Sequence, residues 1–528
     1  MTGVTSAHLY HDGTKHHFDR FARSLGYLDW ASQPNPFRSF DGTVESVLSP
    51  SPGAPETVAG DILRHALGLS AWKQVRGSRG TARWSLRANP SSGNLHPTEA
   101  YVICGPVAGL AATGAVYHYA ADRHALEHRC AFDWPDASND EWLIALTSIH
   151  WREAWKYGER AFRYCQHDLG HAIAAVRIAA GVAGWNARLV PEWSHGEIAA
   201  LTGIDRDDDY VDAEREEPGC LIVVGQSSVI NRWSRGEHRE RLIAAVRNGK
   251  WSGRANQLSE DHVQWTFIDD IARATKDPGR PAPPAPPARP PAPPAYSRPL
   301  LLQRRSAVAL DGRSTIGVDR FFTMLANVLP DDRPPWDAVW WDARIHLLLF
   351  VHRVDDLAPG LYLLIRNPRA HDALRRAITR EFAWERTTDT LPLFLLASGD
   401  GRRLAERVSC DQEIAADGFF SLGMLAEFDA SLDEFGASFY RHLFWESGII
   451  GHVLYLEAEA AGARGTGIGC FYDDPVHDVA GITDHAFQSL YHFTIGMPVE
   501  DTRLTTEPGY SWECTVPRAI KPPVERPV

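Results

Sequence analysis

Two clusters of residues have the chemistry to hold a phosphorylated, flat aromatic ligand. Gln303-Arg304-Arg305-Ser306 combines guanidinium forks, which pair with phosphate oxygens, with a hydroxyl donor. A solvated basic turn is the plain alternative on composition alone. Pro90-Ser91-Ser92-Gly93-Asn94, within Arg87 to Tyr101, is a small polar turn that can offer hydrogen bonds to a ring edge without bulk. The same residue types also make ordinary turns. Lys156-Tyr157 could exchange a proton if burial or a nearby cation lowered the lysine's affinity for it. A surface lysine beside a packed tyrosine is the alternative. Gly465-Thr466-Gly467-Ile468-Gly469 fails as a dinucleotide fingerprint, because it leaves a helix rather than joining a strand to one. Its glycines would let the backbone approach a ligand closely, or serve a plain helix-to-strand connection.

Other clusters point elsewhere. Cys165, His167 and His171 include an i, i+4 histidine pair, but positions 278 residues later are Leu443, Trp445 and Ile449, so a packed helix face is expected rather than a metal site. Asp168 and Glu446 share that offset and are expected to cap or pair. His16-His17 has no supporting ligand pattern. The seven cysteines include no CxxC pair and fit reduced thiols in a cytoplasmic protein.

The elements that must position these residues fall into two halves. Residues 278–299 form a polyproline spacer that cannot join a core, with domains expected over 1–277 and 300–528. Gly170 and Gly448 lie 278 positions apart, as do Gly184 and Gly462, and each pair frames an Ala-rich apolar segment that reads as a buried helix ending at glycine. Two copies of one domain facing each other about a pseudo-twofold axis follow. Short apolar strands are expected at Ala100–Cys104, Leu221–Val224, Ile345–Val351, Gly360–Leu364, Leu393–Ala397 and Tyr491–Ile495, separated by helices, so the class is α+β or mixed α/β.

At 528 residues the chain exceeds one typical core, and its 44% hydrophobic and 23% charged content is that of an ordinary globular protein. A net charge of -13 argues against a nucleic-acid partner. No apolar stretch reaches bilayer-spanning length, and the start, Met1 to Gly13, has no signal-peptide pattern, so no membrane partner and a cytoplasmic location are expected.

The motifs resemble those of the nitroreductase-like flavoenzymes, in which two subunits build FMN sites between them. Arg304, Ser306 and Asp311 match an Arg-x-Ser-x-basic-x-Phe-Asp opening that holds the FMN phosphate. Val308 departs from it where a second cation is expected, with Arg305 or Arg503 to compensate. Pro90, Ser91, Ser92, Asn94 and Pro97 match the turn that meets the flavin's pyrimidine edge, and Gly467, Ile468 and Gly469 match a loop near N5. The second half has Trp336 to Arg344 in place of the turn, and the first half lacks the phosphate opening. One competent site per chain is therefore implied, with a second filled by side chains. Trp155 to Arg160 resembles the Lys-Tyr-Gly-x-Arg segment of SagB-like azoline dehydrogenases, where the Lys-Tyr pair is tied to catalysis. The resemblance implies an FMN-dependent dehydrogenase or oxidase of a peptide-derived or natural-product intermediate. The alternatives are an NAD(P)H-dependent nitro or quinone reductase and a non-catalytic flavin-holding scaffold. An intrachain pseudo-dimer is implied, with further homo-oligomerisation left open.

Overall fold

The computed structural model describes residues 2–48, 55–77, 80–107, 111–134, 141–225, 233, 236–281 and 295–515. Residues 282–294 of the proline-rich spacer lie outside the described residues.

Two sheets carry one strand order. The first runs Lys250–Trp251, Ala125–Phe132, Gly114–Ala120, Thr98–Cys104, Glu141–Ser148, Glu217–Gly225, Asn186–Leu189, with Val44–Val47 added to the second of these. The other runs Glu385–Arg386, Leu393–Ser398, Gly360–Leu364, Ile345–Val351, Phe420–Glu427, Phe487–Gly496, Arg464–Ile468. All neighbouring pairs are antiparallel, as in Thr98–Cys104 on Glu141–Ser148 and Ile345–Val351 on Phe420–Glu427. Thr98–Cys104 and Ile345–Val351 are buried at every residue, on both faces of their sheets.

A 22-residue helix precedes the edge strand of each sheet: Ala161–Val182 and Phe439–Ala460. They pack on each other more extensively than any other two elements. They cross where Gly170 meets the Trp445 backbone and Gly448 meets the His167 backbone, a reciprocal contact with no room for a methyl group on either side. Gly184 (φ +79°) and Gly462 (φ +76°) then turn the chain in the left-handed region, as the glycine stops implied.

The helices start eleven residues before the expected Ala172 and Ile450. Polar side chains hide the early turns. Arg163 is buried against Asp473 at 2.7 Å, and Arg441 against Thr275 at 3.0 Å. Asp168 is therefore mid-helix and caps nothing, whereas Glu446 pairs with Arg366.

The halves exchange their ends. Leu504–Pro508, late in the chain, pairs antiparallel with Leu69–Gly77, which also pairs with Gly80–Arg87. The first helix, Gly3–Gly13, reaches the other way: His11 Nε2 lies 3.1 Å from Gln488 Oε1. No helix among the described residues is long and apolar enough to cross a membrane.

Candidate functional site

A cavity of about 440 Å³ opens where the halves meet. One wall is the 89–94 turn, which links the Gly80–Arg87 hairpin strand to Thr98–Cys104. The facing wall is 304–308 and the strand end at Thr466–Cys470, with Tyr164, Asp168 and His171 of the first central helix between them. Pro90, Ser91, Ser92, Asn94, Arg304, Arg305, Ser306, Gly467, Ile468, Gly469 and Tyr157 all border it.

Arg304 follows the short helix Arg298–Gln303 and is 4% exposed. Its Nε donates to the Ala88 carbonyl at 2.9 Å and its Nη2 to the Arg87 carbonyl at 3.1 Å, across the interface. Its Nη1 is buried without a hydrogen-bond partner. A buried guanidinium nitrogen left open costs free energy unless an anion meets it. Ser306 Oγ lies 3.0 Å from Tyr455 Oη, which also accepts from Gly467 N at 2.9 Å. That hydroxyl links the 304–308 segment to the glycine strand.

Lys73 and Arg464 also border this end and were not found from sequence. Partial burial, then the neighbouring Arg305 and Arg464, pull the Lys73 ammonium below its ordinary value, against the pull of Glu500. Arg464 Nη1 holds Glu500 at 2.5 Å. Each looks like an ordinary strand cation, and only the end exchange brings Lys73 to Arg464. Arg503 stands apart: it is exposed, pairs with Asp501 at 2.7 Å, and does not border the cavity. Of the two cations expected to stand in for Val308, Arg305 borders the cavity, together with Lys73 and Arg464, and Arg503 does not. Val308 itself is 90% exposed.

At the other end the turn is braced internally. Asn94 Nδ2 donates to the Ser85 carbonyl at 2.9 Å, and His96 N donates to Ser91 Oγ at 2.8 Å. Gly93 (φ +60°) passes so close to Tyr157 and Lys156 that a Cβ there would sit 2.6 Å from the tyrosine oxygen and 3.3 Å from the lysine nitrogen. Gly467 and Gly469 are required by close approach as well: a Cβ at the first would sit 2.6 Å from Tyr491 Cζ, and at the second 2.7 Å from Tyr164 Cδ1.

Lys156 is exposed and does not border the cavity, with its nitrogen 5.1 Å over the Tyr157 ring. The burial that a lysine base would need is not there. Burial instead raises the Tyr157 hydroxyl well above its ordinary value.

Asp168, mid-helix rather than at a helix start, is a titratable group on the cavity wall. Ser92 donates to its Oδ1 through N at 3.1 Å and Oγ at 3.2 Å, while Oδ2 has no hydrogen-bond partner. Burial pushes its carboxyl up from 3.8 to about 7, against those hydrogen bonds. Such a group takes or gives a proton near neutrality. A carboxyl held more protonated in the folded than the unfolded state adds stability that is complete below pH 3.8 and lost as pH rises through about 7. Asp168→Asn keeps the acceptor for Ser92 and removes that loss. Its stability in urea should exceed the parent's by up to about 4 kcal/mol at pH 8 and match it near pH 4. An equal gap at both pH values would show that ionisation is not the cause.

His167 stacks on Tyr491 at 4.2 Å and His171 Nε2 lies 3.2 Å from Tyr491 Oη, so both serve the packed face. Among the described residues no His, Cys, Asp and Glu group could hold a metal.

The pseudo-symmetric position differs. There Glu446 stands for Asp168, receiving Trp341 Nε1 at 3.1 Å and Arg344 N at 3.0 Å. Side chains, Trp336 and Trp341 among them, fill this position only in part. A hollow of about 470 Å³ remains, lined in part by Trp336, Trp341, Arg366 and Glu446.

No protein-family model and no curated protein matches the chain. Among solved structures, it is similar to a nitroreductase-like protein from Anabaena variabilis, with a TM-score of 0.65 and 19% identity over 94% of this chain and 99% of that one. Partial likenesses include the E. coli microcin synthetase McbBCD complex with truncated pro-MccB17 bound (TM-score 0.29, 15% identity, 37% of this chain and 69% of that one) and the FMN-dependent nitroreductase NfnB from Mycobacterium smegmatis in complex with NADPH (0.20, 14%, 38% and 86%). These two are too distant to carry an argument. The Anabaena likeness shows the fold: the chain is an α+β protein of two tandem nitroreductase-like domains that form an intrachain pseudo-dimer.

Proposed function

We propose that the chain is an FMN-dependent oxidoreductase with one flavin site built across its halves. The observation that carries this is the buried, open Nη1 of Arg304 in one cavity with the 90–94 turn and the Gly467–Gly469 strand end. The donor set fits the group: cations at one end, small polar and glycine backbone at the other. Bound there, FMN would supply two-electron hydride transfer. Arg304, Arg305 and Ser306, with Lys73 and Arg464, hold the phosphate. Pro90, Ser91 and Ser92 meet the ring's polar edge on a turn that Asn94 braces, and Gly467, Ile468 and Gly469 give backbone access to the ring.

The finer reading is a dehydrogenase or oxidase of a peptide-derived or natural-product intermediate. It rests on the likeness of the Lys156-Tyr157 segment to that of SagB-like enzymes. Asp168 accepts the proton released from carbon, with Tyr157 beside it on the cavity wall. Lys156, at the turn's outer side, orients Tyr157 through its charge. No nicotinamide co-substrate is needed in this direction.

The absorption spectrum of the purified chain tests the first claim: one flavin per chain is expected. Colourless protein that takes up no added FMN would overturn it. Lys156→Ala and Tyr157→Phe test the second, with flavin retained and turnover lowered by roughly tenfold or more. Full turnover in both would remove the pair from the mechanism. Rapid bleaching of bound flavin by NADPH without oxygen would move the assignment to an NAD(P)H-dependent reductase.

A further inference from the structure

Cys410 and Cys470 stand 60 residues apart in the chain, yet their sulfurs lie 3.0 Å apart. Both are half-buried, whereas Cys104, Cys130, Cys165 and Cys220 are buried. Cys470 follows the glycine strand end and borders the cavity.

The backbone holds the two sulfurs together. Cys410 (φ +57°) and Asp411 (φ +54°) are successive non-glycine residues in the left-handed region, which persists only where the surroundings fix it. Gln412 Nε2 donates to the Ser409 carbonyl at 2.7 Å and to the Cys470 carbonyl at 2.9 Å, tying one cysteine segment to the other. Asp411 is held by Arg407 at 2.6 Å and by the Tyr472 hydroxyl at 3.2 Å, and Tyr472 N donates to the Val408 carbonyl at 2.9 Å. An S–S bond is about 2 Å long, so closure needs a shift of only ~1 Å.

We propose that Cys410 and Cys470 form a reversible dithiol–disulfide couple on the cavity wall, open to exchange with a small disulfide. The two thiols are not equivalent. Cys470 borders the cavity and Cys410 does not, and their shared contact lowers the Cys470 thiol while raising the Cys410 thiol. The thiolate is the nucleophile in exchange. Cys470 sulfur attacks one sulfur of the small disulfide, whose S–S bond breaks, and the departing thiolate takes up a proton. Cys410 then loses its proton to water and attacks the Cys470 sulfur, expelling the second small thiolate, which is protonated in turn. Two protein thiols are oxidised, one disulfide is reduced to two thiols, and reversal restores the dithiol. The couple rests on its own geometry and does not require the flavin reading. In the closed form it fixes the strand end at Gly469.

The test uses the full chain, stripped of any flavin, so that its outcome is separate from that reading. The protein is equilibrated with reduced and oxidised glutathione at varied ratios, then alkylated, digested and weighed. The Cys410 and Cys470 peptides should become linked and about 2 Da lighter than the sum of the free peptides as the oxidised share rises, and separate on reduction. Cys104, Cys130, Cys165 and Cys220 should stay alkylatable once the chain is denatured. In Cys410→Ser the link should give way to a glutathione adduct on Cys470. The proposal is overturned if the wild-type pair remains two free thiols at every ratio. It is equally overturned if each sulfur carries its own glutathione with no link between them.

Discussion

Gly170→Ala is expected to destabilise the chain by about 2–4 kcal/mol, although alanine is the better helix former by about 1 kcal/mol. An added Cβ would sit 2.8 Å from the Cα and carbonyl carbon of Trp445 and closer still to its oxygen. These are backbone atoms, so no rotamer change relieves the overlap and the two central helices must separate. Gly448→Ala meets Gly170 Cα at 2.9 Å from the opposite side and should cost as much. Gly181→Ala in the same helix is the control. Its nearest neighbour is Arg177 Nη1 at 3.4 Å, the end of a flexible side chain, and it should be neutral or stabilising by up to ~1 kcal/mol. Urea unfolding of the three variants decides the matter. If Gly170→Ala matches Gly181→Ala, the crossing does not depend on glycine.

Arg304→Ala is expected to raise the Kd for FMN by roughly 30- to 100-fold, the loss of about 2–3 kcal/mol of charge-assisted hydrogen bonding. The Arg87 and Ala88 carbonyls each lose a donor in the same change, so stability should fall as well. Arg304→Lys should rescue little, because an ammonium cannot serve two carbonyls and a phosphate from one plane. Arg503→Ala should leave the Kd within about twofold, since that side chain faces solvent with Asp501. Fluorescence titration of added FMN reads all three. Equal losses at 304 and 503 would mean that the phosphate lies elsewhere.

Much of the frame was legible because it is apolar and continuous. Ile345–Val351 and Gly360–Leu364 occur at their expected bounds, and the other four expected strands lie within longer ones. The repeat offset matched Gly170 with Gly448, and the structure adds that the two meet at the helix crossing. What escaped were features that need distant segments. Phe420–Glu427 reads as a mixed run until its neighbours cover both faces. Asp168 read as a residue that caps or pairs because the apolar segment was expected to begin after it, at Ala172, whereas the helix starts at Ala161. Lys73 acquires meaning only beside Arg305 and Arg464, through a strand pairing more than four hundred residues long in sequence. The two cysteines gave no signal, since no spacing rule joins positions 410 and 470.

The pairing of Leu504–Pro508 with Leu69–Gly77 also sets an order of events during synthesis. A ribosome releases the early hairpin long before its third strand exists, leaving one edge uncovered while more than four hundred residues are still to be translated. The cavity wall that includes Lys73 and Leu504 is thus completed only after every strand of both large sheets has been translated.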